Sequence, residues 1–192
     1  MKRISALALA GAAVFALSLG MNATEPSFAA EKTVMVGGAA MYPSKNIIEN
    51  AMNSKDHTTL VAAVKAAGLV DTLEGKGPFT VFAPTNDAFA RLPAGTIDAL
   101  LKPENKTMLT KVLTYHVVPG RLTASDLDLL IKKGNGAAEL TTASGGKLWV
   151  MKNGDRNITI KDEAGATADI SIYDVMQSNG VIHSVDRVLM PK

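Results

Sequence analysis

The chain has 192 residues, of which 47% are hydrophobic and 20% charged, a composition typical of a folded globular domain rather than a disordered protein. Its net charge is only +2 and no basic stripe is present, which argues against nucleic acid as a partner. The sequence contains no cysteine, so its stability must come from a hydrophobic core rather than from disulfides.

The N-terminus has the features of a secretory signal peptide. A basic start precedes an uncharged apolar run over residues 4–19, and the small residues around Ala29 fit a signal peptidase site. We expect residues 1–29 to be removed, with cleavage after Ala29 as the first choice and after Ala30 as the second. An uncleaved membrane anchor is the alternative, but the apolar run is shorter than the ~20 residues that span a bilayer. The expected product is exported and soluble, either in a periplasm or outside the cell.

Two segments follow the predicted signal peptide. Residues 30–43 are rich in glycine and alanine and are predicted to form an N-terminal arm. Residues 44–192 contain no internal repeat and no low-complexity linker, and are predicted to form one domain. Helical patterns dominate its first part and strand patterns its second, which predicts the α+β class.

Helix caps mark several of the predicted helices. Ser44 is predicted to cap the first helix, and either Asp56 or Thr58 the second, which ends at Gly68. Further helical segments are predicted over residues 69–73, over residues 96–101, from Pro103 onward, and from a capping box at residues 123–126 to Gly134.

Short apolar or alternating runs separated by glycine and asparagine turns predict the strands. They are expected over residues 79–83, 115–120, 139–142, 148–151, 157–161, 168–175 and 181–189. Tyr115 and Trp149 lie within these strands, and both are predicted to be buried in the core.

No arrangement of residues predicts an enzyme. His57, His116 and His183 are far apart and match no metal-ligand spacing. Ser184 follows His183 directly, and neighbouring residues of a strand point to opposite faces, so these two cannot act as nucleophile and base. We therefore expect no catalytic residue, no metal and no cofactor.

Residues 79–92, FTVFAPTNDAFARL, combine a buried strand with a helix start. Thr85 or Asn86 can cap the helical turn that follows the strand, and Asp87 favours the positive end of its dipole. Phe89 then returns to the core. This structural role explains the composition, and the alternative is that Thr85, Asn86 and Asp87 form a polar patch for a partner.

Three segments resemble the fasciclin domain family. Residues 79–92 are similar to its first signature box, SNGVIHSVDRVLMP at residues 178–191 to its second, and TYHVVPG at residues 114–120 to the Tyr-His segment between them. The resemblance covers residues 44–191, and the overall form looks like the single-domain, secreted bacterial members. It implies a wedge of two β-sheets with several short helices packed on one side. It also implies adhesion or extracellular binding rather than catalysis.

The resemblance also implies candidate partner-binding residues. Integrin-binding elements proposed in animal fasciclin domains fall on Tyr115, His116 and the pair Asp174 and Val175. The pair departs from the family pattern, because Val175 replaces isoleucine and Tyr173 replaces proline, and no Arg-Gly-Asp is present. These departures argue against an integrin. His116 has an alternative structural role, in which a carboxylate or hydroxyl of the first box is its hydrogen-bond partner.

Two functional hypotheses follow from the sequence. The first is an exported, non-enzymatic adhesion or interaction domain that binds a protein or glycan of a cell surface or matrix, with self-association left open. The alternative is a soluble carrier for a small apolar ligand held between the wedge and the helices.

Overall fold

The computed structural model describes residues 32–155 and 157–192. The predicted signal peptide and both of its predicted cleavage sites lie outside the described residues. No helix in the described ranges is long and apolar enough to cross a membrane.

Seven α-helices are present in the described residues. They are α1 (Ile47–Ala51), α2 (Thr58–Ala67), α3 (Val70–Glu74), α4 (Asn86–Ala90), α5 (Thr96–Leu100), α6 (Lys106–Tyr115) and α7 (Ala124–Lys133). Short 3-10 turns at Lys55–His57 and Pro103–Asn105 lead into α2 and α6.

Nine strands accompany these helices in the described part of the chain. They are β1 (Val34–Val36), β2 (Ala39–Met41), β3 (Phe79–Pro84), β4 (Val117–Pro119), β5 (Ala137–Thr141), β6 (Lys147–Asn153), β7 (Asn157–Lys161), β8 (Thr167–Gln177) and β9 (Gly180–Val185). β1 and β2 form a hairpin, and the other strands form a sheet in the order β4-β3-β9-β8-β7-β6-β5. Within this sheet only β3 and β9 pair in parallel.

The seven-stranded sheet curls back on itself. Its register shifts twice along β8, between Ile170 and Ile172 and between Ile172 and Val175, which bends the sheet there. At its ends, the N–H of Ala143, just beyond β5, donates a hydrogen bond to the carbonyl of Val117 in β4 (2.7 Å). The first and last strands of the sheet therefore approach each other.

Two hydrophobic clusters fill the space on either side of the central strands. Alternate residues of β3 and β9, such as Val81 and Ile182, pack against α1–α6 in one cluster. The intervening residues, such as Phe82 and Val185, face the inner side of β5–β8 and α7 in the other cluster. β3 and β9 are thus covered on both faces, whereas β5, β6 and β7 are covered on their inner face only.

The observed helix caps contradict two of the predictions and confirm two others. Asn46, not Ser44, caps α1, because its side chain accepts a hydrogen bond from the N–H of Glu49 (2.9 Å). Ser54 caps the 3-10 turn before α2, so neither Asp56 nor Thr58 has the predicted role. The left-handed Gly68 at the end of α2 and the capping box at the start of α7 are confirmed.

The predicted strand over residues 115–120 is wrong at its start. Tyr115 is the last residue of α6, His116 is its C-cap, and the strand begins at Val117. The β-forming residues of this segment suggest an earlier start, but the buried face of α6 continues to Tyr115. The predicted last strand is also too long, since β9 ends at Val185.

Part of the predicted arm is folded. β1 and β2 pair antiparallel, and their residues Val36 and Met41 are buried in the same cluster as α1. The apolar residues of this segment therefore add to the core beneath the first helices.

Candidate functional site

Thr85 starts α4 at the corner after β3. Its hydroxyl accepts a hydrogen bond from the N–H of Ala88 (3.2 Å), and its own N–H donates to the carbonyl of Val185 (3.2 Å). This confirms the predicted cap and ties the first signature box to the second. Phe89 is buried, as predicted, while Asp87 is exposed in the first turn of α4.

Asn86 binds the start of α2. Its side-chain oxygen accepts hydrogen bonds from the N–H of Thr59 (3.0 Å) and the hydroxyl of Thr58 (3.2 Å), and its amide donates to the carbonyl of Lys55 (2.8 Å). The residue before α2 is His57, which provides no side-chain cap. Asn86 therefore supplies from a distant part of the chain the cap that α2 lacks locally.

Replacing Asn86 with alanine should destabilise the protein by about 1–2 kcal/mol, because a helix cap and a donor to Lys55 are lost together. Urea denaturation measures the loss. The matched control is Asp87→Ala, since the side chain of Asp87 is exposed and makes no hydrogen bond to any described residue. Equal stability of the two variants would show that Asn86 is not a structural cap.

Tyr115 is fully buried. Its hydroxyl donates a hydrogen bond to the carbonyl of Lys147 (2.6 Å) and accepts one from the N–H of Glu163 (3.0 Å). Burial raises the pKa of Tyr115 to about 12, with the nearby acidic side chains acting in the same direction. Tyr115 thereby joins the end of α6 to the first residue of β6 and to the turn that follows β7.

His116 is also buried, and both of its ring nitrogens bind backbone groups. Nδ1 donates to the carbonyl of Val112 (2.8 Å), while Nε2 accepts from the N–H of Leu189 (2.9 Å). The predicted partner, a carboxylate or hydroxyl of the first box, is therefore wrong, although the prediction that the ring is buried and paired is confirmed. Burial lowers the pKa of His116 to about 4, so the ring is neutral near pH 7.

Asp174 has a structural role at the bend of β8. Its backbone is left-handed (φ 54°), its carboxylate accepts from the N–H of Ala124 (2.7 Å), and its N–H donates to Nδ1 of His183 (3.3 Å). The carboxylate thus binds the first residue of α7. Val175 is buried beside it.

The structure does not bring the seven candidate residues together on one surface. The side chains of Tyr115, His116 and Val175 are buried. Thr85, Asn86 and Asp174 are held in hydrogen bonds that start or anchor helices. Asp87 alone among the candidates is an exposed side chain without such a bond.

Trp149 lies on a surface that the sequence prediction placed in the core. Leu148 and Val150 point inward into the second cluster, so Trp149 and Met151 between them point outward. Both outward side chains are half-buried. Because β6 has apolar residues on both faces, its sequence does not show which residues point inward and which outward. The polar residues in register with Trp149 on the neighbouring strands are the signal that could have shown that Trp149 points outward.

The outer face of β5–β8 has Trp149 at its centre. In register with it lie Glu139 of β5, Lys161 of β7 and Thr167 of β8. Lys147 forms an ion pair with Glu139 (2.8 Å) at one side of this face. A shallow groove of about 370 Å³ lies between Trp149, Met151 and the turn after β7.

The three histidines do not converge on a metal. His116 and His183 bind backbone groups, whereas His57 lies between the hydroxyls of Ser54 and Ser184. Among residues 32–155 and 157–192, no group of three or more acidic or histidine side chains is placed to hold a metal ion.

Comparison with known proteins gives the family. The family model of the fasciclin domain matches residues 55–191. The chain is 44% identical over 177 residues to protein sll1483 of Synechocystis sp., covering 92% of this chain and 91% of the relative. The chain therefore belongs to the fasciclin domain family, as its three motifs predict.

More distant similarities agree with this assignment. Immunogenic protein MPB70 of Mycobacterium bovis is 37% identical over 146 residues, covering 73% of this chain and 66% of the relative. Cell surface glycolipoprotein MPB83 of the same species is 35% identical over 169 residues, covering 85% and 69%. A FAS1 domain pair from the insect cell adhesion molecule Fasciclin I has the same fold (TM-score 0.68, 18% identity, 78% of this chain and 52% of that one). The predicted α+β fasciclin fold is confirmed.

Proposed function

We propose that the protein is an exported, non-enzymatic interaction module that binds a protein or glycan of a cell surface or matrix. The predicted signal peptide and the family resemblance support this function, and one relative is named as a cell surface glycolipoprotein. The observation that carries the proposal is the part of the outer face of β5–β8 around Trp149, which no described helix covers. Trp149, Met151 and the flanking charged residues of this face form the proposed binding surface.

The composition of this surface fits an interface. Tryptophan and methionine are enriched where proteins bind partners, and tryptophan is prominent among the residues that dominate binding energy. Trp149 is the only tryptophan of the chain, and its ring lies at the centre of an outward sheet face instead of in either core. Glu139, Lys147 and Lys161 around it supply a polar rim.

Replacing Trp149 with threonine should weaken binding to intact cells at least about ten-fold, because a central aromatic contact is lost while a β-forming residue is kept. Binding of the fluorescently labelled protein to the cells measures the effect. The control is Met108→Thr, which removes a side chain that is 57% exposed on α6. Trp149→Thr should lower the unfolding temperature because its half-buried ring is lost, and both variants should remain folded at the temperature of the binding assay.

The class of partner follows from treating the cells before the assay. Loss of binding after protease digestion identifies a protein partner, and loss after periodate oxidation identifies a glycan. Binding of Trp149→Thr equal to that of the unmodified protein would exclude this face as the binding surface. The absence of saturable binding to any of the tested cells and matrices would contradict the adhesion function itself.

A further inference from the structure

A second feature, independent of the proposed binding surface, is a cavity between the first helices and the sheet. It has a volume of about 50 Å³ and lies among α1, α2, α3, β3 and β9. Ile48, Leu60, Val64, Val81 and Ile182 contribute to its apolar wall. Such a lining favours an apolar occupant over water, because water in a cavity needs two or more polar partners.

The polar side chains at the inner end of the cavity are already paired within the protein. Ser54 and His57 line it, and the Ser54 hydroxyl is 2.9 Å from Nδ1 of His57. Nε2 of the same ring is 3.3 Å from the hydroxyl of Ser184 in β9. Burial lowers the pKa of His57, which keeps the ring neutral. This end of the cavity therefore leaves no ring nitrogen unpaired and presents no charge to an occupant.

The opposite end of the cavity carries one charged residue. Ala51, Val61 and Val70 line the cavity and are only half-buried, so the opening lies between α1, α2 and α3. Lys65 also lines it, is exposed, and forms no ion pair with any residue of the described ranges. The hydrocarbon stem of Lys65 contributes to the apolar wall, and the ammonium group beyond it extends toward solvent, where it complements an anionic head group.

We infer that this cavity binds a small carboxylic acid, with the end of its apolar chain inside and its carboxylate at Lys65. A volume of about 50 Å³ holds roughly three or four water-sized positions, which corresponds to a short alkyl segment and is smaller than the ~150 Å³ cavity that accommodates a benzene ring. The rest of a longer chain would lie in the opening beside Val61 and Val70. This inference develops the carrier hypothesis of the sequence analysis, because it specifies the head group and the size of the ligand and the cavity that holds it.

Octanoate is the probe for this site, and isothermal titration calorimetry measures its binding to the purified protein. 1-Octanol is compared with it, because the alcohol has the same chain length without the charge. We expect both to bind, with Lys65→Gln weakening octanoate about five-fold and leaving 1-octanol unchanged. An equal effect of Lys65→Gln on both molecules would overturn the assignment of the head group.

Filling the cavity tests its location. Ala51→Leu places a larger side chain at the opening and should abolish binding of both molecules without lowering the unfolding temperature. The matched control is Ala62→Leu, because Ala62 is exposed on α2 and does not line the cavity. Binding to Ala51→Leu as tight as to the control, or no binding of either molecule to the unmodified protein, would overturn the proposal. Trp149→Thr should bind octanoate normally, so failure of this site and failure of the adhesion surface are distinguishable.

Discussion

Lowering the pH from 7 to 4 should reduce the free energy of unfolding by about 3 kcal/mol through His116 alone. The folded ring donates from Nδ1 to the carbonyl of Val112 and accepts at Nε2 from the N–H of Leu189. A protonated ring cannot accept, so it would lose the second hydrogen bond and place a charge in the core. Burial accordingly lowers the pKa of His116 from 6.5 to about 4, although nearby Asp162 opposes the shift.

The direction of the effect follows from proton binding. Between pH 6.5 and pH 4 the unfolded chain binds a proton at residue 116 that the folded protein does not bind. The free energy of unfolding therefore falls as the pH falls through this window, and the contribution of His116 levels off below pH 4. Burial also lowers the pKa values of His57 and His183, which act in the same direction.

Urea denaturation at pH 7, 6, 5 and 4 measures this loss. The comparison variant is His116→Gln, in which residue 116 has no titratable group. Its stability at pH 7 should be lower, because the glutamine amide cannot reproduce both ring hydrogen bonds, but its decline with falling pH should be shallower. Equal declines in the two proteins would show that His116 does not control the response to acid.

Replacing Tyr115 with alanine should destabilise the protein by about 3–5 kcal/mol, the range observed when a large buried aromatic side chain is removed. The fully buried ring is lost, and the carbonyl of Lys147 and the N–H of Glu163 lose their partner. Tyr115→Phe keeps the ring and loses only these two bonds, so it should cost about 1–3 kcal/mol. The midpoints of chemical denaturation measure these losses, and the midpoint of Tyr115→Ala should be lower than that of Tyr115→Phe.

Tyr42 provides the matched control for Tyr115. Its ring is 41% exposed and contacts only the ammonium group of Lys45 among the described charged groups. Tyr42→Ala should therefore lower stability by about 1 kcal/mol or less. If Tyr115→Ala lowered stability no more than Tyr42→Ala does, Tyr115 would not be a core residue. The prediction that it contacts a partner would then be supported.

Local patterns predicted those parts of the fold that depend on neighbouring residues. Three features were predicted in this way: the cap of α4 at Thr85, the capping box at Thr123 and the end of α2 at Gly68. Each involves groups that are only a few residues apart in the sequence. The choice of Ser44 over Asn46 was an error between two residues of similar capping propensity. The start of that helix is fixed at Asn46 by the capping box that its side chain forms with Glu49, a local signal that the spacing of these two residues contains.

Interactions between distant segments of the chain were beyond prediction. Leu189 binds the ring of His116 through its backbone, and no side-chain pattern identifies a backbone partner 73 residues away. Asn86 caps a helix that starts 28 residues before it. The outward position of Trp149 depends on which face of the sheet α7 covers, and the continuous apolar run around Trp149 is equally consistent with burial on both faces. The candidate residues taken from the motifs accordingly proved to be mainly parts of the framework.

The parallel pairing of β3 with β9 has a consequence for the order in which the chain can fold. β3 comes from the first signature box and β9 from the second, so residue 79 meets residue 180, near the opposite end of the sequence. β9 is also the strand that joins β3 to β8. A chain still being synthesised lacks the middle of this sheet until β9 has been made, and pairings over such long separations form slowly. It should therefore stay unfolded until β9 has been synthesised, and an unfolded chain is the form that the proposed export would require.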